Sequence, residues 1–223
     1  MQAERLAASG PSSCAFSGSL SIPPIRRRAL YSKRMAAEPT EVLTAIDAAR
    51  NLDGVMAAIR KHARHLVRAD GVTFVLREQG FCFYADEDAV SPLWKGQRFP
   101  METCVSGWVM DNRKPAVIPD IYADKRIPAE VYRKTFVKSL AMVPVGNFHS
   151  LAAIGAYWAK PHTASRQQVQ RLQLLAGAAA DVLEQTCPKC HRRGFVRFEN
   201  VIKQGTGSRH NYCGACEHTW VTW

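Results

Sequence analysis

Four cysteines have the spacing to hold a metal ion. Cys187-Pro188-Lys189-Cys190 and Cys213-Gly214-Ala215-Cys216 are two Cys-x-x-Cys turns with 22 residues between them. Each such turn places two thiolates about 3.5–4 Å apart, and two turns complete a tetrahedral site for one structural zinc. Pro188 and Gly214 supply the turn chemistry. His191, His210 and His218 are substitute ligands, but four cysteines already fill the site. A pair of redox dithiols would need a strand and a helix around each motif, and neither has them. The segment is too short to fold by burial alone, so the metal is expected to supply most of its stability.

The remaining cysteines, Cys14, Cys82 and Cys104, are scattered. This distribution favours metal over disulfides and a reducing compartment. Cys82 and Cys104 are read as small buried apolar residues. The 223 residues are 47% hydrophobic and 22% charged, enough for a real core. The net charge of +11 is uneven. Residues 1–37 carry six Lys/Arg against one acid, 38–186 carry eighteen against sixteen, and 187–223 carry six against two. Four zinc-bound thiolates would lower the last segment from +4 to +2.

The elements that must position these groups follow from periodicity. Residues 1–37 have no helical or strand period and are expected to be a disordered basic tail, with Arg26, Arg27, Arg28, Lys33 and Arg34 either solvated or touching phosphates. Val42, Leu43, Ile46 and Ala49, then Val55, Met56, Ile59, Ala63, Leu66 and Val67, are spaced as two helices or as one broken at Asp53-Gly54. A hairpin is expected over Val72–Leu76 and Phe81–Tyr84, followed by a polar loop through Asp86, Glu87 and Asp88. Next come a strand near Gln97–Phe99, a helix over Ser106–Asp111, a strand at Val117-Ile118 and a loop with a short helix over 120–133. The strands Lys138–Val145 and Leu151–Ala159 are the clearest. Ser165 and Gln168 form a capping box that opens a helix to about Gln185. Its stripe of Val169, Leu172, Ala176, Ala179 and Leu183 suits either helix-to-helix packing or the domain's own sheet. The longest apolar runs fall far short of the roughly 18 residues of a membrane span, and Leu20–Ile25 is too short for a signal core, so no membrane contact and a cytoplasmic location are expected.

Three blocks carry a resemblance. Phe99-Pro100-Met101-Glu102-Thr103-Cys104-Val105-Ser106-Gly107-Trp108-Val109, Lys114 to Pro128, and Phe136 to Val145 stand in the order found in GAF domains of bacterial sensor histidine kinases. The likeness spans about residues 42–186. It implies an α+β domain, a GAF-like antiparallel sheet flanked by helices, with a cup for a small molecule and terminal helices that pair in a homodimer. By matching position the cup would be lined by Trp108, Asp120, Tyr122, Phe136, Ser139, Met142 and Tyr157. Each has a plainer alternative: Trp108 and Phe136 as core, Asp120 as a turn cap, Ser139 as a partner of backbone. The signatures of cyclic-nucleotide and bilin-binding GAF domains are missing. The GAF family that reduces free methionine sulfoxide would keep a cysteine in the cap loop, and residues 120–135 contain none.

The Cys-Pro-Lys-Cys start and Cys-Gly-Ala-Cys-Glu-His-Thr-Trp end resemble zinc ribbons of transcription proteins, including the transcript-cleavage elongation factor. The tip Lys203 to Arg209 lacks that factor's acidic pair, so its catalysis does not carry over. The expected organisation is a tail (1–37), a GAF-like sensor domain (38–186) and a small all-β zinc ribbon (187–223). Lys189, Arg192, Arg193, Arg197, Lys203 and Arg209 with Phe195, Phe198, Tyr212, Trp220 and Trp223 would give the ribbon a basic, aromatic surface for a protein partner or nucleic acid. The leading expectation is a non-enzymatic signalling protein with zinc and an unidentified GAF ligand. The alternatives are a transcription-associated nucleic-acid binder and a thiol-dependent methionine sulfoxide reductase.

Overall fold

The structure is a computed structural model, and it describes residues 39–124, 129–203 and 205–222. The basic segment 1–37, Pro128, Gln204 and Trp223 lie outside the described residues. Residues 39–47 are helical (α1), and α2 spans Leu52–Val67. Asn51 caps α2 by accepting the Gly54 amide at 2.9 Å, so the break falls before Leu52 and Asp53-Gly54 sits inside the first turn. Arg68, in the left-handed region at φ 53°, ends the helix.

Six strands then build an antiparallel sheet: β1 (Gly71–Glu78), β2 (Phe81–Ala89), β3 (Arg98–Pro100), β4 (Ala116–Ile118), β5 (Ser139–Val145) and β6 (Ala152–Trp158), in the order β3-β2-β1-β6-β5-β4. Between them lie α3 (Val105–Asn112) and α4 (Ala129–Tyr132), and α5 (Arg166–Gln185) closes the domain. The acids at 86–88 belong to β2, where a polar loop is expected from their composition. Long-range pairing keeps them there. Asp86 accepts from Arg60 of α2 at 2.8 Å and from Lys95 at 2.6 Å, and Asp88 pairs with Arg64 at 2.7 Å. Glu87 accepts the amides of Leu93, Trp94 and Lys95.

Strand alternation divides the interior into two cores. Ala141, Val143 and Val145 of β5 and Ala152, Ile154, Ala156 and Trp158 of β6 pack under α1, α2 and α5. Leu140, Met142, Ala153 and Tyr157 face the other way, under α3 and the cap. Both faces of β6 are therefore covered, and all seven of its residues are buried. On α5, Leu172, Ala176 and Ala179 are buried in the helix-side core, with Val169 and Leu183 against it. The stripe is thus occupied by the chain's own sheet and α2. The capping box is present, and the Gln168 side chain also donates to the Val67 carbonyl at 2.7 Å.

Past α5, β7 (Val196–Lys203), β8 (Thr206–Cys213) and β9 (Thr219–Thr222) form a second antiparallel sheet in the order β7-β8-β9. Lys203 pairs with Thr206, so Thr206 to Ser208 belong to β8, and β9 is a further strand. The described residues make one compact unit. Among the described residues no helix is long and apolar enough to cross a membrane.

Candidate metal centre and ligand-binding core

The two Cys-x-x-Cys turns have matching backbones. The His191 amide donates to the Cys187 carbonyl at 2.9 Å, and the Glu217 amide to the Cys213 carbonyl at 2.8 Å. His191 and Glu217 occupy the left-handed region, at φ 56° and 59°. The two turns face one another. Cys187 Sγ lies 3.7 Å from Cys216 Sγ, and Cys190 Sγ 3.7 Å from Cys213 Sγ. All four sulfurs fall within 4.8 Å of one another. Tetrahedral zinc–thiolate bonds of about 2.3 Å separate sulfurs by about 3.8 Å, so the donor set fits a zinc-sized ion. Cys187 and Cys213 are buried, and Cys190 and Cys216 half-buried, so the cluster is largely closed to water. Desolvation opposes the Cys213 thiolate, but the Ala215 and Cys216 amides and the neighbouring thiols outweigh it and lower its pKa.

The C-terminal sheet is fastened to the closing helix. Gly194 donates to the Gln185 carbonyl, and Thr186 bridges to Arg193. Arg209 of β8 reaches Glu184 of α5 at 2.8 Å, with side chains only 9% and 13% exposed. Its Nε donates to Asn200 at 3.2 Å, and its guanidinium lies over Phe198 and Phe148, 4.0 and 5.0 Å from the ring centroids. Glu184 also accepts the Asn147 amide at 2.6 Å. Arg193 bonds the Asp47 carbonyl and carboxylate. Of the six basic residues expected on an open surface, Arg209 is therefore turned inward and Arg193 is paired with the exposed Asp47. A cavity of about 170 Å³ lies along this seam, lined in part by His149, Glu184, Arg209 and Trp220. His149 Nε2 and Ser150 Oγ are buried with no hydrogen-bond partner. Burial first, then the charges of Arg209 and Arg113, lower the His149 pKa. Outside the seam, Phe195, Phe198 and Tyr212 are exposed, and an open groove of about 520 Å³ runs along β7–β9.

The seven residues of the expected cup do not all converge. Met142 and Tyr157 are fully buried in the cap-side core, with Trp108 and Phe136 half-buried against it. Alternation puts Ser139 on the helix-side face with Ala141 and Val143, and its hydroxyl donates to the Lys160 carbonyl at 2.8 Å. Asp120 is exposed and accepts the Tyr122 amide at 2.9 Å, a turn cap. Tyr122 is 44% exposed, with the Lys138 ammonium 4.9 Å from its ring centre.

A cluster of Tyr84, Trp94, Tyr132 and Tyr157 fills this core instead, with ring centroids 5.1–5.6 Å apart in edge-on contacts. Tyr157 shares a hydrogen bond of 3.0 Å with Thr73. Burial raises the pKa of Tyr84, Tyr132 and Tyr157, which keeps the phenols protonated. Two glycines make room. A Cβ on Gly155 would stand 2.6 Å from the Tyr157 hydroxyl, and one on Gly107 would stand 1.8 Å from the Met101 carbonyl oxygen. The apolar pair Leu93-Trp94, set between Ser91 and Lys95, was the available sequence signal.

Residues 49–184, more than half of the chain, match the GAF domain family. The chain belongs to that family. No curated protein matches the sequence. Among solved structures, the chain is similar to the GAF domain of an Acinetobacter phosphoenolpyruvate-protein phosphotransferase, at 12% identity and TM-score 0.58, over 67% of this chain and 92% of that one. The free methionine-R-sulfoxide reductase of Neisseria meningitidis, in complex with its substrate, is similar at 16% identity and TM-score 0.56, over 68% and 90%. A far-red-absorbing dark state with bound biliverdin IXα is similar at 18% identity and TM-score 0.54, over 65% and 96%. At these identities the likenesses bear on the fold. Membership of the GAF family is consistent with signalling.

Proposed function

We propose that this GAF protein is a non-enzymatic regulator whose C-terminal sheet is a zinc ribbon acting as the output element. Cys187, Cys190, Cys213 and Cys216 would hold one structural zinc, which crosslinks the two turns and does no chemistry of its own. The observation that carries the reading is the grip of Glu184 on Arg209, nearly buried on both sides. It couples the last turn of α5 directly to the middle strand of the ribbon. Occupancy of the GAF core by a small molecule, or pairing with a second copy, would alter the packing of α5 and so the posture of the ribbon. Since the apolar stripe of α5 is occupied, a homodimer through the terminal helices would use the outer face around Leu174, which is 51% exposed.

The partner favoured for the ribbon is a protein. With Arg193 paired to Asp47 and Arg209 to Glu184, four basic residues remain against Glu199, Glu217 and the double negative charge of a zinc tetrathiolate. That near-neutral balance is poor for phosphate-backbone binding, while the exposed Phe195, Phe198 and Tyr212 suit an aromatic-rich protein interface. A cytoplasmic setting keeps the thiols reduced for the metal. Native mass spectrometry of the chain purified from its host tests the metal, and binding titrations with DNA and RNA at varied salt test the partner. One zinc per chain and no affinity for single- or double-stranded DNA or RNA at low salt would support it. A metal-free folded protein would overturn the ribbon, and salt-dependent nucleic-acid binding would overturn the protein partner.

A further inference from the structure

The cavity along the seam between α5 and the C-terminal sheet has polar and apolar walls. His149 of the loop before β6, Glu184 of the last turn of α5 and Arg209 of β8 supply the polar groups, and Leu151, Leu183 and Trp220 the apolar surface. Arg209 is held in place with donor capacity to spare. Asn200 takes its Nε at 3.2 Å and Glu184 one terminal nitrogen at 2.8 Å, while the other terminal nitrogen has no hydrogen-bond partner among the described residues. Phe148 stands edge-on to His149, with 4.3 Å between ring centroids, and its other neighbour is the Arg209 guanidinium at 5.0 Å. His149 Nε2 is buried and unpartnered. The field at this imidazole is positive, since Arg209, Arg113 and Arg77 act on it against Glu184 alone. Arg77 is paired with Asp111, but Arg113 donates to the Phe148 carbonyl at 3.2 Å and has no acidic partner among the described residues.

We propose that this cavity is an effector site for a small organic acid with an apolar body, its carboxylate received by His149 Nε2 and Arg209. A neutral imidazole has one N–H and can carry it on Nε2, where it donates to the carboxylate. The guanidinium adds a charge-assisted bond. The volume suits the body: an apolar cavity of about 150 Å³ holds a benzene ring, and this one has about 170 Å³. The acid is a monoanion, because Glu184 lines the same cavity and repels a second negative charge. Inorganic phosphate would satisfy the cations but leave Leu151, Leu183 and Trp220 uncovered. The lining comes from α5, the approach to β6, and both β8 and β9, so an occupant clamps the ribbon to the closing helix. The clamping rests on the regulatory reading above and moves its small molecule from the aromatic-filled GAF core to the joint. The binding needs only a folded C-terminal sheet, not a partner for it.

The test uses the full chain, with metal content measured in every sample and sodium benzoate as the probe. Calorimetry is expected to give saturable binding of about 1 mM or tighter, with uncharged benzamide and inorganic phosphate each weaker by about tenfold or more. Intermolecular NOEs should run from the benzoate ring protons to the Leu151 and Leu183 methyls. His149→Phe keeps a ring and removes the nitrogen, and should weaken benzoate by about tenfold or more at unchanged metal content. Leu183→Trp fills the cavity and should abolish binding. Saturation with benzoate should slow amide exchange of β8 and β9. Benzamide binding as tightly as benzoate, NOEs to Met142 or Trp94 of the cap-side core instead, or no binding by a chain with full metal content would overturn the site. Exchange of β8 and β9 unchanged at saturation would overturn the clamp. A metal-free folded chain that still binds benzoate at Leu151 and Leu183 would sink the zinc ribbon and support this site, so the two failures are distinguishable.

Discussion

Replacing Glu184 with Gln keeps the size of the side chain and removes the charge that faces Arg209. Breaking a buried ion pair from one side costs about 3–5 kcal/mol, because the remaining charge is stranded. Here the loss is smaller. Arg209 keeps Asn200 and two aromatic faces, and the pair is 9% and 13% exposed, so about 2 kcal/mol is expected. At about 1.4 kcal/mol per decade this is roughly a 30-fold rise in the opening constant of the ribbon against α5. Hydrogen exchange reads it directly, as faster exchange of the β8 and β9 amides with the amides of β1, β5 and β6 unchanged. Arg209→Leu combined with Glu184→Leu should cost less than the sum of the single changes, since neither charge is then orphaned. Additive effects, a change below about threefold at β8, or equal loosening of the central sheet would refute the coupling.

Three further outcomes follow from the same contacts. The His149 pKa is lowered from its ordinary 6.5, so the unfolded chain takes up the proton before the folded one. Thermal stability should therefore be flat in pH above 6.5 on account of this group and fall as the pH drops toward its folded value; His149→Gln should flatten the acid limb. Gly107→Ala places a methyl group 1.8 Å from the Met101 carbonyl oxygen, so α3 must shift; circular dichroism melts should show a loss of at least about 3 kcal/mol or no cooperative transition. Cys190→Ser or Cys213→Ser should release the metal and open 187–222 to protease while the six-stranded sheet stays folded, as limited proteolysis with metal analysis would report.

The parts of this fold legible in the sequence are those held by local rules. The capping box of Ser165 and Gln168, the alternation of β5 and β6 and the two Cys-x-x-Cys turns each need only neighbours a few residues away. What escaped depends on distant partners. Asp86 and Asp88 look like loop acids until Arg60 and Arg64 of α2 lie across from them. Arg209 reads as an exposed phosphate binder until Glu184 covers it. Asp53-Gly54 has the composition of a break, yet Asn51 caps the helix ahead of it. Position in the family pattern grouped Ser139 with Met142, but strand parity separates them.

Hydrogen exchange on the zinc-loaded chain before and after a chelator tests the central claim most directly, that the metal-held sheet and the closing helix act as one mechanical unit. The account predicts that chelation strips protection from residues 187–222 and from the last turn of α5 around Glu184, with the six-stranded sheet unaffected. Unchanged protection of 187–222 without metal, or its loss with α5 untouched, would contradict it.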